Sequence, residues 1–335
     1  MLDLFETIKK LAAIHSPSGS ETAVAEAIAD IAAPYADEIT RDTLGNLIIR
    51  RKGAEGGKKI MISAHMDSIG MIVTHIDDKG FLRFSNIGGL TPAVLLNVPV
   101  KFADGTRGVI SKDGKAELKD LKLHHLYIDI GAKSREEAQR YVKVSDTAVY
   151  ATETYRAGDT IVSPYLDDRI ACVVLLMALQ SIKETKNDLY FVFSAQEELG
   201  LRGARTAAFQ IEPDIGIAVD VTGTGDTPEP KSHMDCALGK GAAIKIMDGS
   251  LVCSPAMVKA FENTAKQNDI PYQFEVLEQG GTDAGAIQLT KRGAHSAAIS
   301  IPTRYVHTPQ EMCSEQDVKS AAALLTLFAA NEISL

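Results

Sequence analysis

Apolar runs that end on ionisable residues constrain this chain more than any other feature. "KKIMISAH" closes on His65 and leads to Asp67, "DLYFVFSA" runs into Glu197 and Glu198, "IGIAVD" reaches Asp220, and "SAAISIPTRYVH" runs out to His307. Each run is short and rich in β-branched or aromatic residues, the pattern of a buried strand. Helical patterns such as "DDRIACVVLLMALQSIK" and "SPAMVKAFENTAKQND" lie between them. This alternation implies a sheet, largely parallel, with helices on both faces. Loops beyond the carboxyl ends of such strands converge on one crevice. A further segment, "YLDD", opens a helix there with Asp167 and Asp168, so five separate segments deliver His, Asp or Glu to one edge.

The flanking regions give the domain plan. "LFETIKKLAAI" predicts a first helix broken near "HSPSG", Ser20 is expected to cap a second, and Pro34 stops it. "ITRDTLGNLIIRR" reads as a hairpin turning at Gly45-Asn46. From about Asp67 the texture changes to short strands and turns, "GMIVTHI", "FLRFSNI", "VPVKF", "GVIS", "LYIDI" and "TAVYA", with only "SREEAQRYV" helical. The expectation is an α/β domain of residues 1–66 and 160–335, interrupted by a β-rich barrel or sandwich at 67–159.

Composition excludes several classes of function. The net charge is -9 and no Lys or Arg cluster overrides it, which argues against nucleic-acid partners. Cys172, Cys236, Cys253 and Cys313 lie far apart without C-x-x-C spacing, so neither a zinc knuckle nor a disulfide framework is expected. Reduced thiols, a start unlike a signal peptide and no run approaching the roughly 18 apolar residues of a membrane span point to the cytoplasm.

Singly, each ionisable residue has an ordinary reading. A histidine at a strand end is usually hydrogen-bonded surface, Glu-Glu a solvated loop and Asp-Asp a helix cap. Five coincidences at one sheet edge favour a shared purpose. Two imidazoles with several carboxylates and no thiolate suit Zn, Mn or Co. His65, Asp167, Glu198, Asp220 and His307 suffice for two divalent ions that share one Asp. Glu197 is left free to accept a proton from the attacking water; on an extended segment it would point away from Glu198. Asp168 is read as shaping the turn or forming a salt bridge. His15, His75, His124, His125, His233 and His295 have no partner pattern.

The motifs "SPSGSE", "DTLGN", "SAHMD", "YLDDR", "SAQEELGLRGA", "AVDVT", "QGGTDAG" and "IPTRYVHTP", in this order across essentially the whole chain, resemble the co-catalytic metalloaminopeptidases of the tetrahedral (TET) or glutamyl-aminopeptidase type, peptidase family M42. The resemblance implies a phosphorylase/hydrolase-like zinc-peptidase α/β sandwich interrupted by a small β-barrel-like dimerisation domain. It implies Asp167 as bridging ligand, His65 and Asp220 on one ion, Glu198 and His307 on the other, Glu197 as general base and Asp67 as the carboxylate orienting His65. It further implies peptide substrates with a free N-terminus and a homo-oligomer, dimer or dodecamer. Thr282 and Asp283 of "GGTDAG", with Arg304 of "IPTRY", are candidate substrate contacts. After Asp220 the chain reads "DVTGTGDTPEP" where many relatives carry a histidine, a departure outside the five ligands. The alternatives are a carboxypeptidase or amidohydrolase of the same clan and a glycoside hydrolase, which needs paired carboxylates and no metal.

Overall fold

The computed structural model describes residues 2–230 and 234–333, so His233 lies outside the described residues. Helix α1 (Leu4–Ala12) starts where Asp3 accepts the Glu6 N–H at 3.0 Å and buries Leu4, Ile8 and Leu11 at helical spacing. Helix α2 (Thr22–Ala32) takes Glu21 as its N-cap residue, not the expected Ser20, and no side chain caps it. The Glu21 carboxylate instead accepts from the Gly19 and Gln196 N–H groups, tying this corner to the predicted site.

The hairpin β1 (Glu38–Arg41) and β2 (Leu47–Arg51) leads to β3 (Lys59–His65). A closed barrel follows from β4 (Gly70–Ile76), β5 (Leu82–Ile87), β6 (Pro99–Phe102), β7 (Arg107–Lys112), β8 (Leu126–Asp129) and β9 (Thr147–Tyr150), with one short helix, α3 (Arg135–Ala138). Val73, Phe84, Val100, Ile110, Ile128 and their neighbours fill a core of its own. The chain then leaves the barrel earlier than residue 159. Strands β10 (Tyr155–Ala157) and β11 (Thr160–Ser163) already belong to the large sheet.

Helix α4 (Leu166–Ser181) is apolar nearly all round, as a helix enclosed on every side must be. It is followed by β12 (Asp188–Ser194), α5 (Arg202–Ile211), β13 (Ile215–Thr222), β14 (Ala242–Met247), α6 (Pro255–Gln267), β15 (Tyr272–Val276), α7 (Asp283–Gln288), β16 (His295–Arg304), β17 (Glu311–Ser314) and α8 (Glu315–Ala330). The sheet runs β1-β2-β12-β3-β13-β16-β17-β11-β10, with β14 on β16 and β15 on β14. Only its centre, β12-β3-β13-β16, together with the β14–β15 pair, is parallel; every other pairing is antiparallel. The expectation of a largely parallel sheet therefore holds for the site-bearing strands and fails at the flanks, where the hairpins β1–β2, β10–β11 and β16–β17 and the sequence-distant pairs β2–β12 and β11–β17 all run antiparallel. Helices α1, α2, α4, α6 and α8 cover one face, and α5 and α7 the other. Tyr165, just before α4, packs into the barrel core, stacks on Tyr150 at 5.4 Å and accepts the Tyr150 N–H.

Candidate metal centre and active-site cavity

The carboxyl ends of β3, β12, β13 and β16 meet the start of α4 at one crevice. His65 is the last residue of β3 and almost fully buried. Its Nε2 lies 3.0 Å from Asp167 Oδ1, and the other Asp167 oxygen lies 3.1 Å from His307 Nε2. Asp167 thus stands between two imidazoles, one oxygen toward each. Glu198 Oε1 lies 3.3 Å from His307 Nε2, and Glu197 Oε2 3.9 Å from His65 Nε2. His65, Asp168 and Asp220 offer donor atoms within 4.8 Å of one another, as do His65, Asp167 and Glu198.

These groups can hold cations. The donors are imidazole nitrogens and carboxylate oxygens, the set suited to catalytic zinc and its neighbours. Among the described residues Asp168 Oδ1 is buried without a hydrogen-bond partner, and Glu198 Oε1 is buried with only the His307 ion-pair contact at 3.3 Å, atoms that a cation would satisfy. Burial also drives the carboxyls upward: Glu197 and Asp168 well above the usual range, and Asp220 up to about 7. Burial opposes a charge on His307 too, yet the Asp167 and Glu198 carboxylates outweigh it and raise the imidazole to about 11. A nest of acids this deep calls for positive charge among them.

The supports are specific. His65 Nδ1 lies 3.2 Å from the Asp67 carbonyl oxygen and 3.5 Å from its carboxylate. That carboxylate accepts from Ser18 Oγ at 2.7 Å and from the Glu197 and Glu198 N–H groups at 3.0 and 3.3 Å. Asp67 therefore serves both ends, steadying His65 and the glutamate turn. Glu197–Leu199 form a 3-10 turn rather than extended chain. The two carboxylates diverge because successive residues of such a turn are about 120° apart, not because of strand alternation. Asp168 makes no salt bridge among the described residues; its carboxylate accepts the His65 N–H at 3.2 Å.

Two supports escaped the sequence reading. Glu311, 1% exposed on β17, accepts the Asp167 N–H at 2.9 Å and the His307 N–H at 2.8 Å. Its carboxylate clamps the two segments that carry the candidate ligands Asp167 and His307. The barrel supplies the other, the Gly88–Gly89 turn. A Cβ on Gly89 would lie 2.8 Å from His307 Nδ1, and one on Gly88 would lie 3.0 Å from Glu198 Oε2. Only glycine permits that approach, and Gly88 also needs its φ of +70°. Left-handed backbone at Tyr165, Gln196, Leu201, Tyr305 and His307 gathers around the same crevice.

The candidate substrate contacts fare differently. Asp283 is buried and its Oδ2 accepts from Ser63 and Ser194 at 2.5 and 2.6 Å, beneath the strand ends and out of the cavity wall. Thr282 is buried with its hydroxyl unpartnered among the described residues, does not line the cavity, and its side chain does not cap α7. Arg304 places Nε and an Nη on Asp226 at 2.9 and 2.7 Å and borders an adjoining cavity. The site itself opens into a cavity of about 860 Å³. His15 bonds Thr147, and His124 packs edge-on against His125; none of the three lines the cavity.

The family model described as M42 glutamyl aminopeptidase matches residues 45–324. The chain belongs to this aminopeptidase family. It is 51% identical over 96% of its length to a putative aminopeptidase of Acetivibrio thermocellus, covering 97% of that protein. Its fold matches a solved aminopeptidase of the archaeon Desulfurococcus kamchatkensis with a TM-score of 0.95 and 39% identity, covering 98% of this chain and 95% of that one. It likewise matches the TET1 peptidase of Pyrococcus horikoshii, described as assembling into a tetrahedron or a large octahedral shell, with a TM-score of 0.88, 32% identity and coverage of 98% and 99%. The M42 chain is thus a peptidase that removes residues from peptide N-termini, and the family implies divalent metal ions. The carboxypeptidase, amidohydrolase and glycosidase alternatives are not favoured.

Proposed function

We propose that this aminopeptidase works with two divalent ions per subunit, Zn, Co or Mn, and with Glu197 as its general base. The observation that carries the reading is Asp167, whose two oxygens stand 3.0 and 3.1 Å from the Nε2 atoms of His65 and His307. His65 and Asp220 would hold one ion, Glu198 and His307 the other, and Asp167 both. When bound, the ions acidify the attacking water and polarise the scissile carbonyl. Glu197 borders the cavity beside His65, and burial raises its carboxyl well above the usual range. A carboxylate so placed takes the water proton and returns it to the leaving amine. Asp67 keeps the His65 ring in place and holds the Glu197 N–H, so base and ligand share one anchor.

We further assign the barrel to dimerisation, within a dimer or dodecamer. Leu118, Tyr141 and Val144 in that region are 66%, 57% and 52% exposed, apolar surface that a partner copy would cover. A cytoplasmic location fits four buried, unpaired cysteines, and no helix among the described residues is long and apolar enough to cross a membrane. The deciding experiment is Glu197→Gln. Turnover of a free-amine peptide should fall by about 10²-fold or more while metal content per subunit stays unchanged; near-wild-type rates would remove Glu197 from its role.

A further inference from the structure

The cavity beside the metal cluster has a wall of its own. Leu201, Val221, Leu277 and Val306 line it, with the uncharged polar side chains of Ser250 and Gln279. Its ionisable lining residues are His65, Asp167, Glu197, Glu198, Asp220 and His307, all of them members of the catalytic cluster. A substrate side chain in this cavity therefore meets hydrocarbon and neutral hydrogen-bonding groups.

Two cations near this wall are already neutralised. Arg304 stands one cavity away, across Gly223 and Val306, which both cavities share, and its guanidinium grips Asp226 in a two-point pair. Lys245 lies behind Thr222 and is 1% exposed. Its ammonium sits 2.5 Å from Glu275 and 3.4 Å from Asp248. The same pairs occupy Asp226, Glu275 and Asp248, and Arg202 and Glu278, exposed charges next in sequence to the wall residues Leu201 and Leu277, are not among the residues that line the cavity; the lining therefore offers an acidic or a basic substrate side chain no countercharge outside the metal cluster. Stripping water from a charged side chain without such a partner is costly, whereas an alkyl chain gains from the apolar wall.

We infer that the cavity selects uncharged, medium-sized apolar N-terminal residues of the leucine and methionine kind, rather than glutamyl or lysyl ones. This rests on the aminopeptidase reading of the same site and departs from the acidic preference in the family's description. A fitting hydrophobic pocket discriminates by about 10- to 200-fold per methylene-scale difference. The Zn-, Co- or Mn-reconstituted enzyme should thus cleave leucyl- and methionyl-p-nitroanilide with kcat/KM at least about tenfold above the glutamyl and lysyl substrates. A glutamyl or lysyl substrate at or above the leucyl one overturns the inference.

Two readouts separate this from failure of the aminopeptidase reading. Thermal-shift titration with free leucine, glutamate and lysine probes the pocket without turnover: tighter leucine supports the assignment even in an inactive preparation, and tighter lysine or glutamate overturns it. Leu277→Lys, at a half-buried wall position, should raise the glutamyl-to-leucyl ratio of kcat/KM by about tenfold or more; an unchanged ratio means the side chain is read elsewhere.

Discussion

Replacing Glu311 should loosen the metal centre without touching a ligand. Its carboxylate is 1% exposed and receives two backbone N–H groups, from Asp167 at 2.9 Å and His307 at 2.8 Å. In Glu311→Ala both donors lose their acceptor in a buried setting, at about 1–3 kcal/mol each, or roughly 2–6 kcal/mol together. Supports of metal ligands typically cost about 10- to 100-fold in metal affinity when removed, and Glu311 holds two ligand segments at once. The assay is competition with a chromophoric chelator, alongside urea unfolding of the metal-free protein. Asp317 supplies the control: its buried carboxylate likewise accepts two N–H groups, from Gly239 and Gly241 at 2.7 Å each, and belongs to no metal cluster. Asp317→Ala should lose comparable stability and keep wild-type metal affinity. Glu311→Gln, which retains one oxygen, should fall between wild type and alanine. Metal affinity within about twofold of wild type in Glu311→Ala would refute the clamp, since the clamp attributes about 1.4 kcal/mol or more to that bond pair.

Gly89→Ala should lower metal affinity by about tenfold, because the added methyl lies 2.8 Å from His307 Nδ1 and displaces the ring; chelator competition checks it, with Gly114→Ala, whose new Cβ meets nothing within 4 Å, as the silent control. The Arg304–Asp226 pair should show in the pH dependence of stability. Arg304 holds the Asp226 carboxyl down to about 2, so the folded state binds that proton less readily than the unfolded chain, and the pair's contribution is complete above the ordinary carboxylate range and lost as pH falls toward 2. The shift corresponds to about 2 kcal/mol, or about 1–2 after screening at these partly exposed side chains. Urea unfolding of wild type and Asp226→Asn should therefore differ by about that amount at pH 6 and by about half as much at pH 3; a difference independent of pH would refute the pairing.

How much was legible in the sequence follows from where each signal resides. The four central strands were readable because each is a continuous apolar run buried on both faces, and the barrel because short strands alternate with turns. Helix α5 and strand β17 were not read. "RGARTAAFQI" carries little apolar signal and follows left-handed Leu201, while "EMCS" is a strand chiefly because β11 and β16 flank it. Tertiary pairing, which no local pattern encodes, made that assignment. The candidate ligands were legible because strand ends concentrate them. Glu311 and the Gly88–Gly89 turn were hidden for the opposite reason: one acts on backbone amides far along the chain, the other across the junction of barrel and sheet.

The two halves of the proposed centre are consequently built from different materials. His65 ends a central strand, is 3% exposed and is steadied by Asp67 and Asp168; Asp220 lies within β13. His307 lies beyond the end of β16, has a side chain 35% exposed, adopts a left-handed φ of 63° and depends on Glu311 and Gly89. Rigid strand ends hold geometry better than loops, and a ligand on strained backbone pays part of its binding energy to stay in place. On the proposed two-ion assignment, divalent ions should therefore leave in two steps on chelation, the one assigned to Glu198 and His307 first, with affinities separated by about tenfold or more. Metal titration of the stripped enzyme by calorimetry reads both steps, and Gly89→Ala should weaken only the looser one. A single affinity for both ions, or equal weakening of the two by Gly89→Ala, would mean that the barrel turn does not set the outer half of the site.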